Sequence, residues 1–353
     1  MEDDGTADTR LEPELSSEDL HFLYETMVLN RELDDRLLRM QRQGRIGFYL
    51  TGLGEEATHI GSTFALEPTD WVFPAYRELG AALVRGFPLV EFVCQIFGNS
   101  GDITKGRQMP NHYASPSLRI SSLSSPVGTQ LPHAAGCAWA AKIKGEKTVA
   151  ITYFGEGATS QGDFHVALNF SGVFKLPVIF FCRNNLWAIS VPLSRQTASR
   201  DIAVKAQAYG IAGVRVDGND VLAVYQVTRE AARRARAGEG ATLIEAITCR
   251  MGPHSSSDDP RLYREEKDLE EWRQKDPIAR FQRYLRWKGI WDEAYEKNLR
   301  EKIQIRIAEA ISKGESFPPP PLESLFEDVY STVPWHLEEQ RLELLALRKE
   351  AKH

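Results

Sequence analysis

The chain has 353 residues, with 43 Lys and Arg against 49 Asp and Glu, and so a formal net charge of −6. That balance excludes a strongly basic nucleic-acid binder, and a hydrophobic content of 42% excludes disorder over most of the length. No uninterrupted apolar run approaches the roughly 18 residues that span a bilayer, so an integral membrane protein is not expected. The length suits about two domains or one large α/β unit.

Cys94, Cys137, Cys182 and Cys249 lie far apart without a CxxC pair, which points to buried thiols rather than a disulfide framework or a zinc site. The N-terminus is acidic (Glu2, Asp3, Asp4, Asp8, Glu12, Glu14), the opposite of a basic leader, and a cytoplasmic protein is the expectation.

Residues 1–15 lack apolar periodicity and are expected to be a flexible, solvated tail. Ser16-Ser17-Glu18-Asp19 resembles a helix start, and Leu20, Leu23, Tyr24, Met27, Leu33, Leu37 and Met40 recur near helical spacing, predicting one long helix that ends before Gly44. A Gly-rich stretch and the aromatic segment Trp71 to Glu78 follow, then helical text through Phe97. Residues 98–130, rich in Gly, Ser, Asn and Pro, form a loop longer than an ordinary connection. After it a helix (131–144), a strand (148–154), a helix (163–174) and a strand (178–182) alternate. A further round has a strand at 213–216, a helix at 220–236 behind a possible Asn219 cap, and a strand at 242–249. That alternation is the mark of a parallel sheet with crossover helices. Helical text then runs to Ser312, giving a main domain over 16–312. The run Pro318 to Pro321 separates an arm, 313–353, whose Phe326, Val329, Tyr330, Val333, Trp335 and Leu337 suggest docking onto the body or a neighbouring subunit.

The segment Gly155-Glu156-Gly157-Ala158-Thr159-Ser160-Gln161-Gly162-Asp163 follows a strand and opens a helix. Such a turn lets backbone N–H groups approach phosphate at the positive end of a helix dipole. It does not fit GxGxxG, since Ser160 holds the last position, and the chain has no GxxxxGK[ST]. A carboxylate between the glycines would repel a diphosphate unless a cation lay between them, so a divalent metal is implied if a diphosphate binds. The next strand ends in Arg183-Asn184-Asn185-Leu186-Trp187. Adjacent parallel strands bring Glu156 and Asn185 to one edge, and a carboxylate, an amide and a main-chain carbonyl suit octahedral Mg²⁺.

The pair Gly-Glu-Gly and Asn-Asn resembles the thiamine diphosphate signature, with Glu156 where the usual form carries Asp. GEGATSQGDFHVALNF, FFCRNNLWAIS, RQGRIGFYLTGLGEEATHIGS, PAYRE, KGRQMPNHY and GPHSSSDDPRLYR together resemble the α subunit of the decarboxylating component of branched-chain 2-oxoacid dehydrogenase complexes, in order from about Leu20 to the arm. The resemblance implies the α/β thiamine diphosphate-binding fold, a parallel sheet flanked by helices with a helical N-terminal region and an extended C-terminal arm.

It also implies Mg²⁺ on Glu156, Asn185 and the Trp187 carbonyl, and cofactor contacts from Tyr76, Arg77, Ser125, Pro126, Val127, Gly155, Gly157, Ala158 and Arg183. His254 corresponds to the family's active-site histidine, reaching the cofactor from a mobile loop, and Phe48, Tyr76 and His112 to contacts with the 2-oxoacid. In some relatives K⁺ is held at Ser124, Pro126, Thr129 and Gln130, a candidate site here. The implied reaction is oxidative decarboxylation with acyl transfer to a lipoyl group. The family's second catalytic carboxylate comes from a separate β subunit, so the resemblance implies an α2β2 heterotetramer and a lipoyl-bearing acyltransferase as the next partner. Two alternatives stay open: an α subunit acting on pyruvate or acetoin, differing around Phe48, Tyr76 and His112, and a non-catalytic subunit of the same fold, which would not need Glu156, Asn185 and His254.

Overall fold

In the computed structural model, which describes residues 1–350, helix α1 (Ser17–Arg42) starts where its cap residues require. The Ser16 side chain accepts from the Asp19 N–H while the Asp19 carboxylate accepts from the Ser16 N–H, a reciprocal capping box. Then come α2 (Glu56–Phe64), β1 (Trp71–Phe73), α3 (Leu79–Val84), α4 (Leu89–Phe97), α5 (Gln130–Lys144), β2 (Ala150–Gly155), α6 (Gly162–Phe174) and β3 (Val178–Asn184). A two-stranded ribbon of β4 (Trp187–Ala188) and β5 (Val191–Pro192) precedes β6 (Ala212–Asp217), α7 (Val221–Arg236) and β7 (Thr242–Ile247). Helices α8 (Lys267–Gln274), α9 (Pro277–Trp287), α10 (Glu293–Glu315) and α11 (Trp335–Glu350) complete the chain.

The sheet has five parallel strands in the order β1-β2-β3-β7-β6. Its central strands are apolar on both faces because helices cover both. Ile151, Tyr153, Ile179, Phe181 and Ile244 pack into one core with residues of α1, α2, α4, α7, α9 and α10. The alternate residues Ala150, Phe154, Val178, Phe180 and Leu243 pack into a second core with α5 and α6. The period-2 alternation of each strand therefore divides its side chains between two interiors.

Several expectations are refined. The helical text before Phe97 is two helices: α3 stops at its Arg85 cap, followed by Gly86 at φ of 80°, and Pro88 precedes the first turn of α4. The cap of α7 is Asp220, whose carboxylate accepts from the Leu222 and Ala223 N–H groups, not Asn219. The three residues of β1 escape a strand reading because so short a run shows no period. The long loop 98–129 runs along β1, where the Val72 N–H donates to the Arg119 carbonyl at 2.8 Å and the Ser121 N–H to the Val72 carbonyl at 2.9 Å. It thus covers a sheet edge.

The two ends of the chain also differ from expectation. The N-terminal residues lie against α9, with the Tyr284 hydroxyl donating to Glu12 at 2.6 Å and Lys288 paired to Glu12 at 3.2 Å. At the other end α10 continues to Glu315, past the expected boundary. The arm is not extended throughout: residues 335–350 are helical, as a run rich in Leu, Glu, Ala, Arg and Gln favours. Lys105 and Arg107 pair with Asp328 at 2.5 and 3.1 Å, while Val329, Tyr330 and Trp335 stay exposed.

Helix α2 approaches α7 so closely that a Cβ at Gly61 would lie 2.7 Å from the Val221 carbonyl oxygen. Backbone cannot yield there, so Gly61→Val is expected to destabilise the protein by about 1–3 kcal/mol, read as a lower denaturant midpoint at unchanged slope.

Candidate active site

Every strand of a parallel sheet delivers its C-terminal end to the same edge. Here the segments after β1, β2, β3 and β7 bring Tyr76 and Arg77, Glu156, Asn185, and Arg250 with His254 around one cavity of about 340 Å³. The fifth contribution is the end of the long loop, Ser124 to Gly128.

Glu156 opens a short 3₁₀ turn, Glu156–Ser160, directly beyond β2. Gly157 is required beside it, because a Cβ would stand 2.7 Å from the Ala188 Cβ. The Glu156 carboxylate is almost fully buried, and its Oε2 has no hydrogen-bond partner. Its pKa is pushed up to about 7, chiefly by burial, with the Glu55 charge adding to it. An orphaned buried carboxylate oxygen is costly unless a cation compensates it. Asn185 and Trp187 line the same cavity. The Asn185 amide N–H donates to Glu55 at 2.9 Å, and its Oδ1 accepts from the Trp187 N–H at 3.2 Å. The Trp187 carbonyl accepts from Arg250 at 3.2 Å. Leu186, between them, has φ of 71°, a left-handed conformation rare for a branched side chain. This set of oxygen donors fits one hard divalent cation completed by ligand oxygens. Among the described residues no cluster of three or more His, Cys, Asp and Glu could hold a metal alone.

Three arginines line the cavity, Arg77, Arg183 and Arg250, against Glu156 as its one lining carboxylate. The lining therefore suits an anion. Arg77 is buried, which lowers its pKa, and it donates to the Thr51 carbonyl at 2.6 Å and the His254 carbonyl at 2.5 Å. The same guanidinium lies 2.9 Å from His254 Nδ1. Arginine has no acceptor, so His254 Nδ1 must accept, which puts the imidazole proton on Nε2. Burial first, then Arg77 and Arg250, push the His254 pKa down to about 3. The Tyr76 ring meets the imidazole edge-on at 6.1 Å.

The polar run after His254 positions it. The His254 N–H and the Tyr263 hydroxyl both donate to Asp258 at 2.6 Å, and Arg250 donates to that hydroxyl at 3.0 Å. Ser256 and Tyr49 exchange two hydrogen bonds, and Tyr49 donates in turn to buried Asp34 on α1 at 2.6 Å. The segment expected to be mobile is thus braced internally by Asp258 and tied to the rest of the fold at His254, through Arg77, and at Ser256, through Tyr49.

Of the residues singled out in the sequence, Tyr76, Arg77, Ser124, Ser125, Pro126, Val127, Gln130, Gly155, Glu156, Gly157, Ala158, Arg183, Asn185, Trp187 and His254 come together at the cavity. Phe48, His112 and Thr129 are not among its lining residues. Phe48 is half-buried on the segment leading to Tyr49. His112 reaches the wall indirectly, its Nε2 lying 2.8 Å from the Ser125 hydroxyl. Thr129 donates to the Pro126 carbonyl at 3.1 Å, and Gln130 to the Tyr153 carbonyl at 2.8 Å. Asn184 turns away and donates to Glu245 at 2.7 Å. Sequence reading missed Arg250 and Glu55. An Arg just past a strand end was the available signal for the first; the second had none, since Glu at a helix start reads as an ordinary first-turn charge.

Fold and site together define an α/β protein with a cleft of three arginines and one buried carboxylate at the carboxyl edge of a parallel sheet. A family described as the dehydrogenase E1 component matches residues 24–323, and this chain belongs to it. The chain is 46% identical over 331 residues to the human mitochondrial 2-oxoisovalerate dehydrogenase subunit alpha, spanning 94% of this chain and 74% of that protein. The Arabidopsis thaliana mitochondrial 2-oxoisovalerate dehydrogenase subunit alpha 1 is 47% identical over 328 residues, 93% of this chain and 70% of that one. The Dictyostelium discoideum counterpart is 44% identical over 336 residues, 95% and 76%. All three are named as mitochondrial, which overturns the expectation of a cytoplasmic protein; an acidic N-terminal composition does not determine a compartment. No helix among the described residues is long and apolar enough to cross a membrane.

His254 is harder to protonate in the folded site than in the unfolded chain, so the unfolded state takes up more protons between pH 6.5 and about 3. Stability attributable to it is present above pH 6.5 and is lost as pH falls through that window. Unfolding free energies at pH 7 and pH 5 are expected to differ less for His254→Gln than for wild type; equal losses in both would exonerate the imidazole.

Proposed function

We propose that this chain is the α half of a 3-methyl-2-oxobutanoate dehydrogenase (2-methylpropanoyl-transferring). It would act with thiamine diphosphate and Mg²⁺ in the oxidative decarboxylation of branched-chain 2-oxoacids, passing the acyl group to lipoyl of an acyltransferase component. One observation carries the reading: a buried carboxylate with one oxygen unpartnered, Glu156, stands beside Asn185 and three arginines at one sheet edge. Its sequence support is the identity of 46% to 2-oxoisovalerate dehydrogenase α subunits.

Thiamine diphosphate, when bound, supplies the nucleophile and the electron sink for decarboxylation. The chain's own residues bind and orient. Glu156, Asn185 Oδ1 and the Trp187 carbonyl would hold Mg²⁺, and Gly155, Gly157 and Ala158 leave room for close approach of the diphosphate. Tyr76, Arg77 and Arg183 would meet its negative charge, with Arg250 adding to theirs. Ser125, Pro126 and Val127 would face the aminopyrimidine end, and Phe48, Tyr76 and His112 the 2-oxoacid. The four groups at Ser124, Pro126, Thr129 and Gln130 are the place at which K⁺ would bind.

His254 is neutral at working pH and carries its proton on Nε2, on the far side of the ring from Arg77. In that state it can donate an Nε2–H hydrogen bond to negative charge developing on the reacting group, without leaving the Arg77 contact. The cofactor also needs a carboxylate against its aminopyrimidine. Glu156 is the one carboxylate on this cavity wall, and metal binding would consume it. That supports a β subunit as the source of the second acid, in an α2β2 heterotetramer.

The test is co-expression with the β partner, followed by decarboxylation of 3-methyl-2-oxobutanoate and of pyruvate with thiamine diphosphate, Mg²⁺ and an artificial electron acceptor. The branched-chain acid is expected to turn over faster; faster pyruvate turnover overturns the substrate assignment. Glu156→Ala is expected to leave the complex without retained thiamine diphosphate after desalting, and unchanged content would sink the metal role. His254→Ala is expected to retain the cofactor while turnover falls about 10²- to 10⁴-fold.

A further inference from the structure

Glu55 is the N-cap residue of α2, a position at which a short polar side chain ordinarily accepts from the helix's own N–H groups. It makes no such bond. Its side chain is instead fully buried and turned to the wall of the cavity. Oε1 accepts from the Asn185 amide at 2.9 Å, and Oε2 accepts from the Arg183 guanidinium at 2.5 Å. Arg183 is also buried and pairs on its other terminal nitrogen with buried Glu78 at 2.5 Å. Although burial opposes the charge of Arg183, Glu78 and Glu55 together hold its pKa above the ordinary value.

An unpaired amide can present either its oxygen or its nitrogen to a neighbour, and only the oxygen ligates a cation. A carboxylate accepts and never donates when ionised. By taking the Asn185 N–H at 2.9 Å, Glu55 fixes the flip of the amide from its nitrogen side, as the longer Trp187 N–H contact at 3.2 Å does from its oxygen side, and leaves the second lone pair of Oδ1 for a cation. We propose that Glu55 is a positioning residue for the divalent cation: it anchors the nitrogen end of the Asn185 amide and ties that orientation to Arg183, so that the metal ligand and the anion-facing guanidinium are linked through one side chain. This rests on the reading of the cavity as a metal-diphosphate site. Glu55 itself does not line the cavity and acts through its two neighbours, as outer-shell partners of metal ligands do.

Glu55→Gln tests it, because a Gln keeps the shape but has one acceptor oxygen and so cannot serve Asn185 and Arg183 together. The readout is calorimetric binding of thiamine diphosphate to the metal-stripped α/β complex across a Mg²⁺ titration, with no turnover involved. The Mg²⁺ concentration for half-maximal binding is expected to rise about 10- to 100-fold. Glu78→Gln is the control: it disturbs the same buried pair of carboxylates around Arg183 without touching Asn185, and is expected to move the Mg²⁺ midpoint much less. Thermal unfolding of each metal-free complex shows that the variants fold. A Glu55→Gln midpoint equal to that of wild type, or a shift no larger than that of Glu78→Gln, overturns the positioning role. A wild-type complex that binds no thiamine diphosphate overturns the functional reading beneath it, so the two failures are told apart.

Discussion

The site depends on carrying charge into a region that water barely reaches. Glu55, Glu78, Glu156, Arg77, Arg183 and Arg250 are all buried at the carboxyl edge of the sheet, and an isolated buried ion is far too costly to survive ionised. The protein meets this constraint in two ways. Arg183 is neutralised by Glu55 and Glu78 within the fold. Glu156 is left with its pKa near 7, so its charge is poorly supported by the chain alone. The first arrangement makes a rigid wall, and the second leaves a site whose charge a cation would complete.

Topology makes that concentration of charge feasible. In the order β1-β2-β3-β7-β6, three consecutive strands, β2, β3 and β7, supply Glu156, Asn185 and the segment to Arg250 and His254. Their neighbour β1 leads into Arg77. No connection has to cross the cavity, and the polar groups stand on strand ends whose bodies are locked in two apolar cores. The α2 start, carrying Glu55, reaches the same place from outside the sheet: the Thr248 hydroxyl donates to the Gly54 carbonyl at 3.1 Å, joining that turn to the segment after β7. A set of side chains from six distant stretches of sequence is thereby held within hydrogen-bond tolerance.

Much of this was legible in the sequence because glycine, asparagine and aromatic punctuation marks strand ends. Glu156 between two glycines and Asn185 after an apolar strand announce themselves by local context, as does His254 within a motif. The alternation of strands and helices was legible for the same reason: its periods are local. What escaped was non-local. Glu55 and Glu78 look like ordinary helix-start acids, and only the buried Arg183 at the end of β3 shows why they turn inward. Asp220 rather than Asn219 caps α7 because the register of the turn, and not the residue preference, decides which side chain meets the free N–H groups. The N-terminal residues read as a solvated tail on composition, yet Tyr284 and Lys288 on α9 supply partners for Glu12; a sequence shows the charge but not what faces it.

The placement of Arg77 against His254 bears on how the site would respond to an anion. Before one arrives, the guanidinium and the imidazole share a contact at 2.9 Å, and burial first, then the cation, keeps the ring neutral. An anion accepted by Arg77 and Arg250 would weaken the same repulsion, since its negative charge favours protonated imidazole as strongly as it favours the guanidinium. The His254 pKa would then rise toward the working range when the cleft is occupied, and stay low when it is not. Proton transfer competence would thus be coupled to occupancy through electrostatics, with the His254 main chain held by its N–H bond to Asp258 and the Arg77 contact given up as Nδ1 takes a proton.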